Sequence, residues 1–198
     1  MKVEHVFNRK IIRFQCDEVE FYTNENFLHN LNRLFNHPAM RDTVSNEQVG
    51  DAQTTVGKNF LLPLKLPGAE NLERWIHERL MEAAPHFVDF TPTSIQFVRT
   101  WTNKMFRGCE GQTHNHRGPN HGVGVFYVNI PENGSDLVFV RDGVYMTKIS
   151  DYAIGDVVFA GTRTGELVLH DTEISHAVSE HDNDEPRICI VVEFTYIP

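Results

Sequence analysis

Six of the eleven histidines fall between residues 114 and 181: His114, His116, His121, His170, His176 and His181. The first two sit in Gly111-Gln112-Thr113-His114-Asn115-His116-Arg117-Gly118. In an extended segment residues i and i+2 point to the same side, so His114 and His116 can aim two imidazoles at one point, as adjacent ligands of a metal ion. His176, in Glu173-Ile174-Ser175-His176-Ala177-Val178, is the third candidate. It shares a strand face with Ile174 and Val178 and should point into an apolar interior, where a neutral imidazole needs a partner. An isolated His-x-His is weak evidence for a metal. Here it is joined by His176, 60 residues beyond His116, and by Arg187, 11 residues beyond His176. The run His181-Asp182-Asn183-Asp184-Glu185-Pro186 is turn-like and suggests a hairpin that brings Arg187 back beside His176. Arg187 shares its face with Cys189 and Val191, so a permanent charge lies near an apolar interior. That is costly unless an anion meets it, and a bound carboxylate would do so in a bidentate fork.

Strands must position these side chains. From about residue 94 short runs rich in Val, Ile, Phe, Tyr and Thr alternate with Gly, Pro, Asn and Asp. Strands are expected over 94–103, 122–130, 136–141, 144–149, 156–160, 166–170, 173–178 and 186–197, an antiparallel sandwich or barrel. Ile95, Phe97, Trp101 and Asn103 are expected on one strand face. Ahead of this, residues 1–16 read as one or two short strands. Thr23 or Asn24 caps a helix whose stripe is Phe27, Leu28, Leu31, Leu34 and Phe35, stopped by His37-Pro38. A second helix follows Pro67-Gly68, with Leu72, Trp75, Ile76 and Leu80 on its apolar face and Pro85 at its end. Both helices read as packing elements. Residues 40–60 show no period and read as loop or irregular strand. The change of texture near 86–92 reads as a junction inside one domain over 1–198, with 1–90 supporting a β core over 91–198.

The chain has 198 residues, 40% hydrophobic and 23% charged, which suits a globular domain and excludes fibrous or largely disordered classes. Its 18 Lys and Arg against 27 Asp and Glu leave a charge of −9, which disfavours nucleic acid as a partner. No run reaches the roughly 20 apolar residues of a membrane span. Charges within the first ten residues argue against a signal peptide, so a cytoplasmic location is expected. Cys16, Cys109 and Cys189 form no Cys-x-x-Cys pair and read as small buried hydrophobes.

Taken together, Trp101-Thr102-Asn103, Gly111-Gln112-Thr113-His114-Asn115-His116, Gly124-Val125-Phe126-Tyr127-Val128, Gly165-Glu166-Leu167-Val168-Leu169-His170, Ser175-His176-Ala177-Val178 and Pro186-Arg187-Ile188-Cys189-Ile190 resemble the 2-oxoglutarate and Fe(II)-dependent oxygenases, particularly small bacterial and phage members. The resemblance spans about 95–198. It implies a double-stranded β-helix, a jelly-roll barrel, with supporting N-terminal helices, whose mouth holds Fe(II) on His114, His116 and His176. It implies 2-oxoglutarate as co-substrate, with its far carboxylate on Arg187 and with Tyr127 and Asn103 as further contacts. Dioxygen and a small-molecule or peptide substrate complete the reaction, and hydroxylation coupled to 2-oxoglutarate decarboxylation is the activity that the resemblance implies. One departure stands out. The family usually carries His-x-Asp or His-x-Glu, whereas His116 occupies the carboxylate's place, which raises the charge of the site by one unit. Asp171 and Glu110 are the nearby carboxylates that could instead complete a triad. His121, His170 and His181 read as rim or surface residues, and Arg117 as a substrate-orienting or solvated charge. Two other readings remain: a three-His dioxygenase of the cupin type that needs no 2-oxoglutarate, and a non-enzymatic jelly-roll binding module.

Overall fold

Strands with β-branched and aromatic residues at alternate positions bury one face against a second layer. The computed structural model, which describes residues 1–38, 48–50, 52–57, 62–144 and 149–198, arranges them in two antiparallel sheets. The N-terminal strands are β1 (Lys2–Val6), β2 (Arg9–Gln15), β3 (Gln48–Val49) and β4 (Ala52–Thr54). The later ones are β5 (Ser94–Met105), β6 (Glu110–His114), β7 (Gly122–Asn129), β8 (Leu137–Val140), β9 (Val157–Phe159), β10 (Glu166–His170), β11 (Ser175–Val178) and β12 (Arg187–Ile197). Among the described residues one sheet runs β1-β2-β10-β7-β12-β5-β4 and the other β3-β6-β11-β8-β9. From β5 onward the chain passes back and forth between the two, which is the double-stranded β-helix, or jelly roll. The strands at the N-terminus extend it: β2 pairs with β10 at one edge and β4 with β5 at the other.

The expected strands recur with shifted ends, and β6 is additional. Of the strand expected over 144–149, residues 145–148 lie outside the described residues, and Ile149–Asp151 form a 3-10 turn instead. Among the described residues three α-helices cover the outside of the large sheet: α1 (Glu20–Thr23), α2 (Glu25–Phe35) and α3 (Glu70–Ala83). Asn24 caps α2 by accepting from the backbone N–H groups of Asn26 and Phe27. Phe27, Leu31, Leu72, Ile76 and Leu80 of α2 and α3 share one buried cluster with Ile190, Val192 and Phe194 of β12. Each such fully buried side chain contributes roughly 1.5–3 kcal/mol. A second cluster fills the space between the sheets, with Val125, Tyr127, Phe139, Cys189 and Val191. Among the described residues no helix is long and apolar enough to cross a membrane.

One expectation about faces is overturned. Ile95 and Phe97 pack outward against the helix-side core, whereas Trp101 lies in the cluster between the sheets. The register of β5 on β12 explains this: Phe194 is opposite Phe97 and Glu193 opposite Arg99, so Val98 is an extra residue. A bulge of one residue exchanges the faces of everything beyond it. It turns Trp101, Asn103 and Met105 into the barrel.

Candidate metal centre

β6 and β11 are neighbours, and His176 is the cross-strand partner of His114, with ring centroids 4.5 Å apart. His116 follows two residues past the observed end of β6. Its backbone N–H donates to the Thr172 carbonyl at 3.0 Å, which keeps the segment alongside β11. Its ring lies 5.1 Å from both other rings and is stacked on that of His176. One ligating atom from each of the three histidines lies within 4.8 Å of the others.

The opposite sides of the rings are anchored. His114 Nδ1 is 2.8 Å from the Gln112 carbonyl, His176 Nδ1 is 3.2 Å from that of Ile174, and His116 Nδ1 is 2.8 Å from Glu193 Oε1. An Nδ1–H that donates to oxygen leaves Nε2 with its lone pair, the form a metal requires. Burial, and then the neighbouring rings of His114, His170 and His116, hold the His176 pKa well below that of a free imidazole. His176 is therefore neutral and able to ligate near neutral pH.

Beside the rings is a cavity of about 60 Å³, lined in part by Trp101, Asn103, Val125, Leu137 and Arg187. This is room for several water-sized bodies, about 10–15 Å³ being needed for one. Arg187 is 1% exposed, and among the described residues no carboxylate pairs with it. Its Nη1 contacts Met105 Sδ and Cys189 Sγ at 3.5 Å, and its guanidinium lies 5.1 Å from the centre of the Tyr127 ring. Arg187 Nε, the Tyr127 hydroxyl and Asn103 Oδ1 are buried without hydrogen-bond partners. Burial raises the Tyr127 pKa, so its hydroxyl remains a neutral donor. Unsatisfied donors around a buried cation suit a small carboxylate, and three imidazoles gathered at one point suit a divalent metal. The residues present thus fit both groups.

Glu193 was not among the residues singled out from sequence. It is fully buried and accepts from Arg99 Nε at 2.7 Å and Asn120 Nδ2 at 2.9 Å, in addition to its contacts with Arg99 Nη2 and His116 Nδ1. Burial opposes its charge, but the bonds from His116 and Arg99 prevail and hold its pKa below the usual carboxylate value. A signal for it exists: Glu193 continues the alternation of Arg187, Cys189 and Val191. Neither Asp171 nor Glu110 joins the histidine cluster among the described residues. Asp171 instead accepts from the Glu173 and Ile174 backbone N–H groups, both at 2.9 Å, and pairs with Arg9. Arg117 is exposed.

Two histidines assigned from sequence to the rim or surface are core residues. His181, 0% exposed, accepts from the Ser135 backbone N–H and lies 2.8 Å from the Glu185 carbonyl, tying the β11–β12 connection to the loop before β8. His170, also 0% exposed, sits 4.7 Å from the His176 ring. Its inward side was hidden because burial depends on the opposite sheet. His121 is half-buried and bonded to Thr195 and Tyr196.

His170 carries a pH dependence. Burial is the largest influence on it and pushes its pKa down to about 4, against about 6.5 for an unperturbed imidazole. The unfolded chain therefore binds a proton that the folded chain refuses. The stability contributed is complete above about pH 6.5 and is lost as pH falls toward 4, about 3 kcal/mol in all. The urea midpoint of the metal-free protein should fall between about pH 7 and pH 4.5, and less steeply in His170→Gln. Equal slopes for the two proteins would contradict this.

Comparison with known proteins agrees with this geometry. Residues 99–193 match the family described as "Putative 2OG-Fe(II) oxygenase". No curated protein matches the chain. Among solved structures, the non-heme alpha ketoglutarate dependent epimerase SnoN from nogalamycin biosynthesis is 14% identical, with a TM-score of 0.61 over 95% of this chain and 80% of that one. HygX from Streptomyces hygroscopicus, with nickel, 2-oxoglutarate and hygromycin B bound, is 13% identical, with a TM-score of 0.63 over 93% and 82%. A Pseudomonas putida prolyl-4-hydroxylase is 13% identical, with a TM-score of 0.57 over 93% and 91%. At these identities the likeness is one of fold.

Proposed function

Because the chain belongs to the 2-oxoglutarate and Fe(II)-dependent oxygenase superfamily, we propose that it couples decarboxylation of 2-oxoglutarate to hydroxylation of a C–H bond, with His114, His116 and His176 holding the iron. The observation that carries the reading is the unpaired, buried Arg187 in the same cavity as the three rings. Bound there, iron and 2-oxoglutarate supply oxidation by dioxygen: one oxygen atom enters the substrate, the other enters succinate, and carbon dioxide leaves.

The chain's own residues do the positioning. The three imidazoles would hold the metal, with the cavity beside them available to the co-substrate. Arg187 takes the far carboxylate of 2-oxoglutarate, the Tyr127 hydroxyl donates to it, and Asn103 contacts the same molecule. Val125, Leu137 and Trp101 give the cavity apolar walls that limit water around the reacting atoms. The structural relatives include an epimerase as well as hydroxylases, so the product decides the reaction type. The substrate class is a small molecule or peptide, and the buried Cys16 and Cys189, neither of them in a disulfide, suit a reducing cytoplasm.

The test is succinate formation by the purified protein under air. It should require both Fe(II) and 2-oxoglutarate and cease when either is omitted. Failure to bind iron at all would end this reading. Hydroxylation in particular requires a product heavier than its substrate by one oxygen atom.

A further inference from the structure

We infer that Glu193 is a positioning residue that returns to the metal centre, through His116, the negative charge that the missing ligand carboxylate would have supplied. This rests on the function proposed above. The usual family pattern has an acid at the position of His116, and a third neutral imidazole there leaves the site one unit more positive. The structure places a buried carboxylate one hydrogen bond away, with Glu193 Oε1 2.8 Å from His116 Nδ1. His114 and His176 have only backbone carbonyls in the equivalent position.

The geometry around Glu193 makes its role directional. Oε1 faces His116 and Arg99 Nη2, and Oε2 faces Arg99 Nε and Asn120 Nδ2. All these partners are donors, so Glu193 is an acceptor throughout, and His116 must present Nδ1–H to it and the Nε2 lone pair to the metal. A carboxylate accepting from a ligating histidine fixes its ring and makes it a stronger donor. Arg99 does not cancel this charge toward the metal. Its side chain is 55% exposed and screened by water, whereas that of Glu193 is 0% exposed. The arrangement depends on the bulge at Val98, which sets Arg99 opposite Glu193.

Two measurements test this. In the metal-free protein, ¹⁵N NMR of the imidazoles should find His116 in its Nδ1–H form. In Glu193→Gln that form should give way to a mixture with the Nε2–H form, while His114 and His176 stay unchanged. Second, anaerobic competition with a chromophoric chelator gives the Fe(II) affinity of the wild type, Glu193→Gln, His116→Asp and the double variant. Glu193→Gln should weaken binding by roughly 10- to 100-fold when His116 is present. With His116→Asp, which puts the carboxylate directly on the metal, the same change should cost nothing or improve affinity by removing a like charge. An equal loss in both backgrounds would assign Glu193 a structural role only and overturn the inference. So would no loss in either, or a His116→Asp protein that no longer binds iron. A wild-type protein without Fe(II) affinity would instead refute the proposed function itself.

Discussion

His176→Ala is expected to lower Fe(II) affinity by more than about 100-fold and to remove succinate formation. Losing a partner of a metal ligand typically costs 10- to 100-fold, and losing one of three ligands should cost more. Of the three proposed ligands His176 has the least freedom to be replaced. It is 4% exposed, lies opposite His114, and is flanked by the rings of His116 and His170, so water cannot readily take its place in the same geometry. The substitution also removes an imidazole that burial keeps neutral, so the metal-free fold should tolerate it. Circular dichroism and a urea melt check that point. His121→Ala provides the comparison, since it also deletes a bonded histidine but its partners are Thr195 and Tyr196. It should retain iron binding. An alanine at 176 that left iron affinity within a few-fold of wild type would remove the metal centre from these residues.

Arg187→Met should act in opposite directions on stability and on co-substrate binding. Among the described residues the buried guanidinium has no carboxylate partner and is contacted by sulfur atoms and an aromatic ring, so the metal-free protein bears its desolvation cost. Replacing buried charges by an apolar side chain of similar volume is often neutral or stabilising by 1–4 kcal/mol. The melting temperature of Arg187→Met should therefore hold or rise. The affinity for 2-oxoglutarate should collapse, because truncating one partner of a buried charge pair typically costs about 2–5 kcal/mol, or roughly 30- to 4,000-fold. Iron binding should persist, since Arg187 is outside the histidine cluster. Calorimetry of 2-oxoglutarate binding to the iron-loaded, oxygen-free protein reads this directly. Unchanged affinity would place the co-substrate elsewhere and favour a three-His dioxygenase that needs no 2-oxoglutarate.

Much of the candidate site was legible because it depends on strand parity. His114 and His116 are two residues apart, His176 alternates with apolar neighbours, and Arg187 leads a strand whose inward positions are Cys189 and Val191. These patterns follow from the period of two in an extended chain, which the backbone imposes before any sheet forms. The same parity, carried one step further, reaches Glu193. What it could not reveal is that Glu193 meets His116, Arg99 and Asn120, which come from three other segments. Parity also failed at Val98, where one inserted residue separates the faces of Phe97 and Trp101, and at His170, whose burial comes from packing between the sheets. Local periodicity thus fixes which side chains each strand offers, and that one inward-facing cation and three imidazoles are at hand. The tertiary structure alone decided which strands are neighbours, in which register, and where a bulge reverses a face. The reason is physical: a strand satisfies half its hydrogen bonds only through a partner far away in the chain, so local periodicity leaves both partner and register open.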